Sequence, residues 1–333
     1  MTVSQESRRS SVLRLAGAGQ VRQAAAPVLL FALSIILIFV ADRLAPGFAT
    51  AANILQLLKL ASFLGLAAIG QTIVMLTGGI DLSIAWVLTA SAVVFTGICD
   101  GQDANIMPAS AAAIGVGLVT GGFNGFGVVK LRISPIVMTL ATNNIMLGAT
   151  LIYTGGTPSG SSSPLVRALA TGDLGFIPAM VILWFLLAAL TIGAIRCTRG
   201  GRMLLGVGEN PRVSYLTGIR NDLVIIAAYV VCGLTTSVTG ILFAAFSGAS
   251  FLGMGDQFVL PTVAAVVMGG TSMFGGRGGY GGTLTAVFFT TILTTVLVIG
   301  NIPQGARNIV FGVAVLAAML AQRFLTRRED RDQ

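Results

Sequence analysis

One carboxylate, Asp81, stands between two apolar segments of this chain. The run Gln71-Thr72-Ile73-Val74-Met75-Leu76-Thr77-Gly78-Gly79-Ile80-Asp81-Leu82-Ser83 puts a Gly-Gly break just before it. The two segments lie too close together for an ordinary loop, so the break falls at their own depth. Irregular polar backbone survives at membrane depth only when buried in protein or lining water. An ionisable residue so placed is a functional candidate, as a hinge or as a proton or cation site. A compatible second role is capping the next helix through the backbone N–H of Ser83 or Ile84. A second break carries eight glycines within residues 269–282, including Gly269 and Gly270 beside Ser272. No regular helix accommodates that density. Paired interrupted segments in two halves of a chain point to a transport pathway.

Other chemistries are excluded by composition. The chain has no histidine, so Ser-His-Asp triads, His-ligated zinc and histidine relays are absent. Cys99, Cys197 and Cys232 share no metal-like spacing and read as small packing residues. Neither Lys59 nor Lys130 follows a glycine, so a G-x-x-x-x-G-K-[ST] phosphate loop cannot form. Gly253-Met254-Gly255-Asp256 matches the G-x-G-D pattern of intramembrane aspartyl proteases. Such an enzyme needs a second carboxylate at pair distance, and the topology below separates Asp256 from Asp81. The residues require no metal and no cofactor, and the chain reads as a non-enzyme.

The elements that must hold these residues follow from hydropathy. Of 333 residues, 55% are hydrophobic and 10% charged, against roughly 25% charged in soluble domains. The pattern predicts an all-α polytopic membrane protein of about ten transmembrane helices with broken or half-helix segments. The spans fall near 27–45, 53–77, 82–99, 107–128, 134–153, 175–195, 223–247, 258–274, 282–300 and 306–325. Three regions result: a tail at 1–26, a transmembrane domain at 27–325 with a long loop at 196–222, and a tail at 326–333.

Most of the 20 Lys and Arg residues fall on one side of this arrangement. They are Arg8, Arg9, Arg14, Arg22, Lys130, Arg132, Arg196, Arg199, Arg202, Arg212, Arg220, Arg277 and the tail arginines from Arg323 onward. The positive-inside bias therefore predicts both termini in the cytosol, with Asp100, Asp103 and Asp173 outside. Basic residues in the loops and tails of a membrane protein account for the +8 charge without any nucleic acid. The partner this distribution implies is the lipid bilayer.

Within this frame, Gly117, Gly121 and Gly125 recur every four residues and give the fourth span a face for close helix packing. Asn124 lies on the same helix and is a pathway candidate, with Gln71, Gly78, Gly79, Asp81 and Ser83. Asn143 and Asn144 in the fifth span join them. The loop 196–222 contains its own short helix: Asn210 is an N-cap, Pro211 suits the first position and Gly218 the end. Two turns of helix are marginal alone and need a surface to dock on, either a cytosolic partner or the membrane domain itself. Tyr215 and Leu216 lie on its apolar side, and Arg202, Glu209 and Arg212 suit the rim. The small-polar loop 154–164 suits either solvent or an extracytoplasmic partner.

From about residue 50 to 322 the chain resembles permease subunits of bacterial sugar importers of the ATP-binding cassette class, in the ribose/xylose/galactose family. The resemblance rests on Gly-Gly-Ile-Asp-Leu-Ser at 78–83, Thr-Leu-Ala-Thr at 139–142, Gly-Arg…Val-Gly-Glu-Asn-Pro-Arg at 201–212, and Gly-Gly-Thr-Ser-Met-Phe-Gly-Gly-Arg-Gly at 269–278. Ala85, Glu209, Leu147 and Asn143 depart from the usual family residues. The resemblance implies a bacterial inner-membrane protein that translocates a monosaccharide or related polyol. It also implies three partners: a cytosolic ATPase subunit, an extracytoplasmic sugar-binding protein and a second permease copy. The rival reading is an ion-coupled secondary transporter with Asp81 as its coupling site. A channel is disfavoured by the lack of a charged filter ring.

Overall fold

The computed structural model describes residues 27–329, with side chains as far as Leu320. The N-terminal tail 1–26 with Arg8, Arg9, Arg14 and Arg22, and the last residues of the C-terminal tail, lie outside the described residues. The helices are α1 (Pro27–Leu44), α2 (Ala51–Leu76), α3 (Ile84–Cys99), α4 (Ile106–Val129), α5 (Pro135–Thr154), α6 (Pro164–Thr171) and α7 (Ala179–Cys197). They continue as α8 (Arg199–Glu209), α9 (Pro211–Leu216), α10 (Asn221–Ser247), α11 (Val259–Met268), α12 (Tyr280–Ile299) and α13 (Gln304–Glu329). Between α6 and α7 a two-stranded antiparallel hairpin pairs Asp173 with Pro178 and Leu174 with Ile177. Among the described residues the architecture is all-α apart from this hairpin.

Among the described residues seven helices, α1, α2, α4, α5, α7, α10 and α12, are long and apolar enough to cross a membrane. Ten spans were expected, and the shortfall falls mainly at the two breaks. α3 has 16 residues and α11 has ten, fewer than the roughly 20 a full crossing needs. The expected span 258–274 stops at Met268 because the glycine-rich segment cannot continue it. The span expected from 175 starts at Ala179, after the hairpin.

The bundle is built around α2, most of which is buried. α10 runs antiparallel to α4, and the expected glycine face of α4 makes that contact. A Cβ at Gly117 would fall on the carbonyl of Gly233, one at Gly121 on that of Tyr229, and one at Gly125 would sit 2.8 Å from the Ile226 Cα. Without side chains in the way, the backbones touch. α2, α7 and α12 are tied by a buried relay in which Trp184 Nε1 donates to Tyr280 Oη (2.8 Å) and Tyr280 Oη donates to the Gly65 carbonyl (2.7 Å). The outer surfaces of α1, α4 and α7 are large apolar side chains such as Phe31, Phe123 and Leu186. Surfaces of this kind suit hydrocarbon better than water.

The elements leave two poles. At one, Gly101 and Ser161 bond through their backbones, as do Ser162 and Gly248, while Asp103 accepts from the Leu165 N–H. Lys59, expected inside the membrane, resolves towards this pole. Its Nζ donates to the Thr171 carbonyl (2.8 Å) and pairs with Asp173 (3.3 Å). The other pole collects Lys130, α8, α9 and the segment 269–279, with Lys130 paired to Asp222.

Candidate functional site

The break after α2 is shaped by residues that permit it. Thr77 and Gly78 close the helix with bonds to Val74 and Met75, and Gly78 adopts φ +82, a left-handed conformation that costs glycine little. Gly79 is pressed against α10, since a Cβ there would lie 2.5 Å from Tyr229 Oη. The chain then turns through Asp81 into α3.

Asp81 is 2% exposed and accepts two hydrogen bonds from Ser83, one from its backbone N–H (2.9 Å) and one from its hydroxyl (2.6 Å). The Ser83 hydroxyl in turn accepts from Asn124 Nδ2 on α4 (2.9 Å), and Asn124 Oδ1 accepts from the Thr142 hydroxyl on α5 (2.5 Å). Cys232 of α10 also faces the carboxyl group. Donors thus run in one direction, from Thr142 through Asn124 and Ser83, and converge on a carboxylate, a group that only accepts when ionised. A satisfied buried network of this kind fixes its members relative to one another.

The expected bond from the Ser83 N–H to Asp81 is thus present, at the residue just before α3. This bond closes a turn ahead of the helix, and the first-turn N–H of Trp86 is met from another element, by Asn143 Oδ1 at 3.3 Å. Asn143 is thus a cap supplied by α5. Asn144, its neighbour, faces outward, and its Nδ2 donates back to the Leu140 carbonyl of its own helix. Gln71 is fully buried on α2, and neither atom of its amide has a hydrogen-bond partner among the described residues.

The second break folds back on the first. Gly269 is seated on α12, where a Cβ would lie 2.5 Å from the Thr283 N, and Gly270 takes φ +91. Ser272 closes the loop: its N–H donates to the Arg277 carbonyl (2.9 Å) and its hydroxyl accepts from the Phe274 N–H. Gly276 then donates its N–H to the Leu76 carbonyl at the end of α2 (2.9 Å), while a Cβ on Gly275 would sit 2.8 Å from the Gly78 N.

A third element enters the same joint. The loop 196–222, expected to hold one helix, holds two, with Asn210 between them. Thr198 caps α8, and α8 buries Gly201, Leu204 and Val207 against the bundle. Gly208 lies so close to the Leu76 carbonyl and the Gly276 N that no side chain fits, and Glu209 packs on Gly276. Asn210 Oδ1 then accepts from the N–H groups of Arg212 and Val213 (3.1 Å each), starting α9 as expected, with Pro211 in its first turn. α9 presents Val213, Tyr215 and Leu216 to the exterior, the last two 72% and 79% exposed. Packing of this apolar side on the membrane domain is thereby excluded. Arg202 and Arg212 are exposed on the same pole.

Of the residues singled out in sequence, Asp81, Ser83 and Asn124 form one hydrogen-bonded unit. Gly78, Glu209 and the 269–278 segment meet in the joint, and Asn144 stands apart from both. Sequence reasoning missed Thr142, Cys232, Leu76 and Gly208. Gly208 alone carried a signal, as a glycine on the buried side of an amphipathic helix.

Comparison with known proteins identifies the family. Residues 53–321 match the family described as the permease component of branched-chain amino acid transport systems. The ribose import permease protein RbsC of Escherichia coli (strain K12) is 31% identical over 290 residues, which cover 86% of this chain and 90% of that protein. RbsC of Bacillus subtilis (strain 168) is 33% identical over 309 residues with the same coverage. The autoinducer 2 import system permease protein LsrC of Shigella flexneri is 31% identical over 260 residues, 78% of this chain and 76% of that protein. No solved structure matches the chain. The permease resemblance carried by residues 78–83, 139–142, 201–212 and 269–278 is borne out, and the chain belongs to this family of transport-system permease components.

Proposed function

We propose that this chain is the membrane-spanning permease subunit of an ATP-binding cassette importer in a bacterial inner membrane, carrying a monosaccharide or related polyol inward. Its energy comes from ATP hydrolysed on a separate cytosolic subunit. An extracytoplasmic binding protein delivers the substrate at the pole of Asp100, Asp103 and the loop 154–164. The basic pole, with Lys130, Arg132 and the arginines of 196–220, faces the cytosol.

The observation that carries this reading is the exposed apolar side of α9, continuous through Asn210 with an α8 whose end is wedged between the two helix breaks. A partner gripping Val213, Tyr215 and Leu216 would move Gly208 and Glu209. These contact Leu76 and Gly276, so the motion would reach both breaks together. Asp81, Asn124 and Thr142 would carry it to α4 and α5. Alternation then follows as a population shift between two arrangements of these helices. Gln71 fits a pathway role: an unpaired buried amide is available to sugar hydroxyls once the helices part.

The experiment is uptake of labelled pentoses, hexoses and polyols by cells carrying the chain, with the partner ATPase intact or disabled, and with or without a protonophore. Uptake lost with the ATPase and kept under protonophore is the expected result. Uptake that follows the proton gradient and ignores the ATPase would replace this reading with an ion-coupled transporter using Asp81.

A further inference from the structure

We propose that the cleft between the ends of α4, α9 and α10 holds an anionic glycerophospholipid of the cytosolic leaflet, its phosphodiester on Lys130 and Arg220 and its acyl chains along Leu223 and Ile226. The proposal rests on the permease reading only for placing this pole in the cytosol.

The cleft has a volume of about 430 Å³, within the range of roughly 300–1,000 Å³ typical of small-molecule sites. Lys130 directly follows α4 and Arg220 directly precedes α10, and both helices are long and apolar enough to span a bilayer. The two cations therefore stand at the depth where hydrocarbon gives way to headgroups. Leu223 and Ile226, in the first two turns of α10, line the same cleft one step further into the bilayer. Leu223 is exposed. Cations above apolar side chains match an amphiphile. A soluble anion would use the first and gain nothing from the second.

The charges select the headgroup. Asp222 accepts from Lys130 Nζ and neutralises it. The ammonium keeps two further hydrogens for other acceptors. Arg220 has no side-chain partner among the described residues. Lys130 and Arg220 against Asp222 leave the lining with one net positive charge, and one phosphodiester balances it. A guanidinium fork suits two phosphate oxygens at once. A headgroup that brings its own ammonium would leave the charge unbalanced, so phosphatidylglycerol is favoured over phosphatidylethanolamine. Basic clefts between spanning helices on the cytosolic side are a recognised form of phospholipid site. The positive-inside bias accounts for cations at this pole, but a topogenic charge needs no cleft beneath it.

The cleft also touches α9. Tyr215 lines it, and Asn221 Nδ2 donates to the Pro211 carbonyl at the start of that helix (2.7 Å). A helix this short is marginal alone, and α9 buries only Ser214. A lipid in the cleft gives it a second surface to rest on.

The test is tryptophan fluorescence of the full chain in phosphatidylcholine vesicles containing a minority of brominated lipid as quencher. Leu223→Trp places a reporter in the cleft, and the native Trp86 and Trp184 are buried. Brominated phosphatidylglycerol should quench this reporter at least threefold more than brominated phosphatidylcholine or phosphatidylethanolamine. Adding Arg220→Gln should remove the difference. Leu186→Trp, on the outward face of α7, should see the three lipids alike. Equal quenching by the three lipids at position 223, or a preference undiminished by Arg220→Gln, overturns the proposal. So does a preference abolished by inorganic phosphate but not by chloride at matched ionic strength, which marks a site for a soluble phosphate. If Leu223→Trp fails to accumulate, the phosphatidylglycerol that the chain without a reporter retains through detergent purification is measured instead. Arg220→Gln should lower that amount at least threefold, and an unchanged amount also overturns the proposal. These measurements need neither ATP nor sugar, so the two readings fail separately. Selective phosphatidylglycerol binding without ATP-driven uptake retires the importer and keeps this site, and ATP-driven uptake with equal quenching does the reverse.

Discussion

The backbone N–H of Gly276 donates to the carbonyl oxygen of Leu76 across 2.9 Å, joining two helix breaks from opposite halves of the chain. A helix ends with carbonyls that have no partner of their own, and here a distant loop supplies one. Gly208 of α8 lies against both atoms of that bond. Displacement of α8 therefore strains the ends of α2 and α11 at once.

Gly208→Ala tests the joint. Its Cβ would overlap the Leu76 carbonyl and the Gly276 N, and backbone on both sides leaves little room to yield. The variant should reach the membrane and hold its ATPase through α9, while sugar uptake falls at least tenfold. Gly200→Ala is the control, since the nearest atom to its Cβ is Thr198 Oγ1 at 3.6 Å. Labelled-sugar uptake, normalised to membrane level, separates the two.

The hydrogen-bonded chain on Asp81 predicts graded effects. Asn124→Ala removes two buried hydrogen bonds, from Asn124 Nδ2 to the Ser83 hydroxyl and from the Thr142 hydroxyl to Asn124 Oδ1, while Ser83 keeps its bond to Asp81 and Thr142 its bond to the Met138 carbonyl, at about 0.5–1.5 kcal/mol for each bond lost. Its thermal unfolding midpoint should drop clearly. Asp81→Asn keeps an oxygen for the Ser83 N–H and hydroxyl and removes the charge. It should accumulate normally and transport poorly. Uptake and melting measured side by side on both variants check this ordering.

Gln71→Leu should move stability and function in opposite directions. The amide is fully buried with both polar atoms unpaired, so an apolar replacement of similar size should stabilise the fold by about 1–3 kcal/mol. If the amide serves the substrate, uptake should fall several-fold while the melting temperature rises. A variant that is stabilised and fully active would remove Gln71 from the pathway.

Tyr215 is the anchor expected at the ATPase contact. Truncating a large aromatic at an interface can cost about 2 kcal/mol or more, so Tyr215→Ala should release the ATPase during co-purification. Arg212→Ala should weaken the complex only modestly, as expected of a rim charge. Membrane insertion should be unchanged in both, because both side chains are exposed and lie outside the spanning helices.

The parts of this site that were legible in sequence are those whose cause is local. Gly-Gly before Asp81 and the glycines of 269–282 mark the breaks because no helix continues through them. Asn210-Pro211 marks the start of α9 because capping is a short-range hydrogen bond. α8 was not legible: two glycines at its start oppose a helix, and only the burial of Leu204 and Val207 overrides them. Nor were the bonds of Asn124 to Ser83 and of Thr142 to Asn124, or the pairing of Asp173 with Lys59, since separate elements of the fold bring these residues together. The Asp81–Ser83 bond was legible because it spans two residues, whereas the bond from the Trp86 N–H to Asn143 was not, because it comes from α5.

The most direct test of the account uses reconstituted vesicles containing the permease and its ATPase, with the binding protein and labelled sugar on the opposite side from ATP. Sugar should accumulate against its gradient in step with ATP hydrolysis, and Gly208→Ala should break that link while ATPase remains bound. Accumulation driven by an imposed proton gradient without ATP, or full coupling in Gly208→Ala, would contradict it.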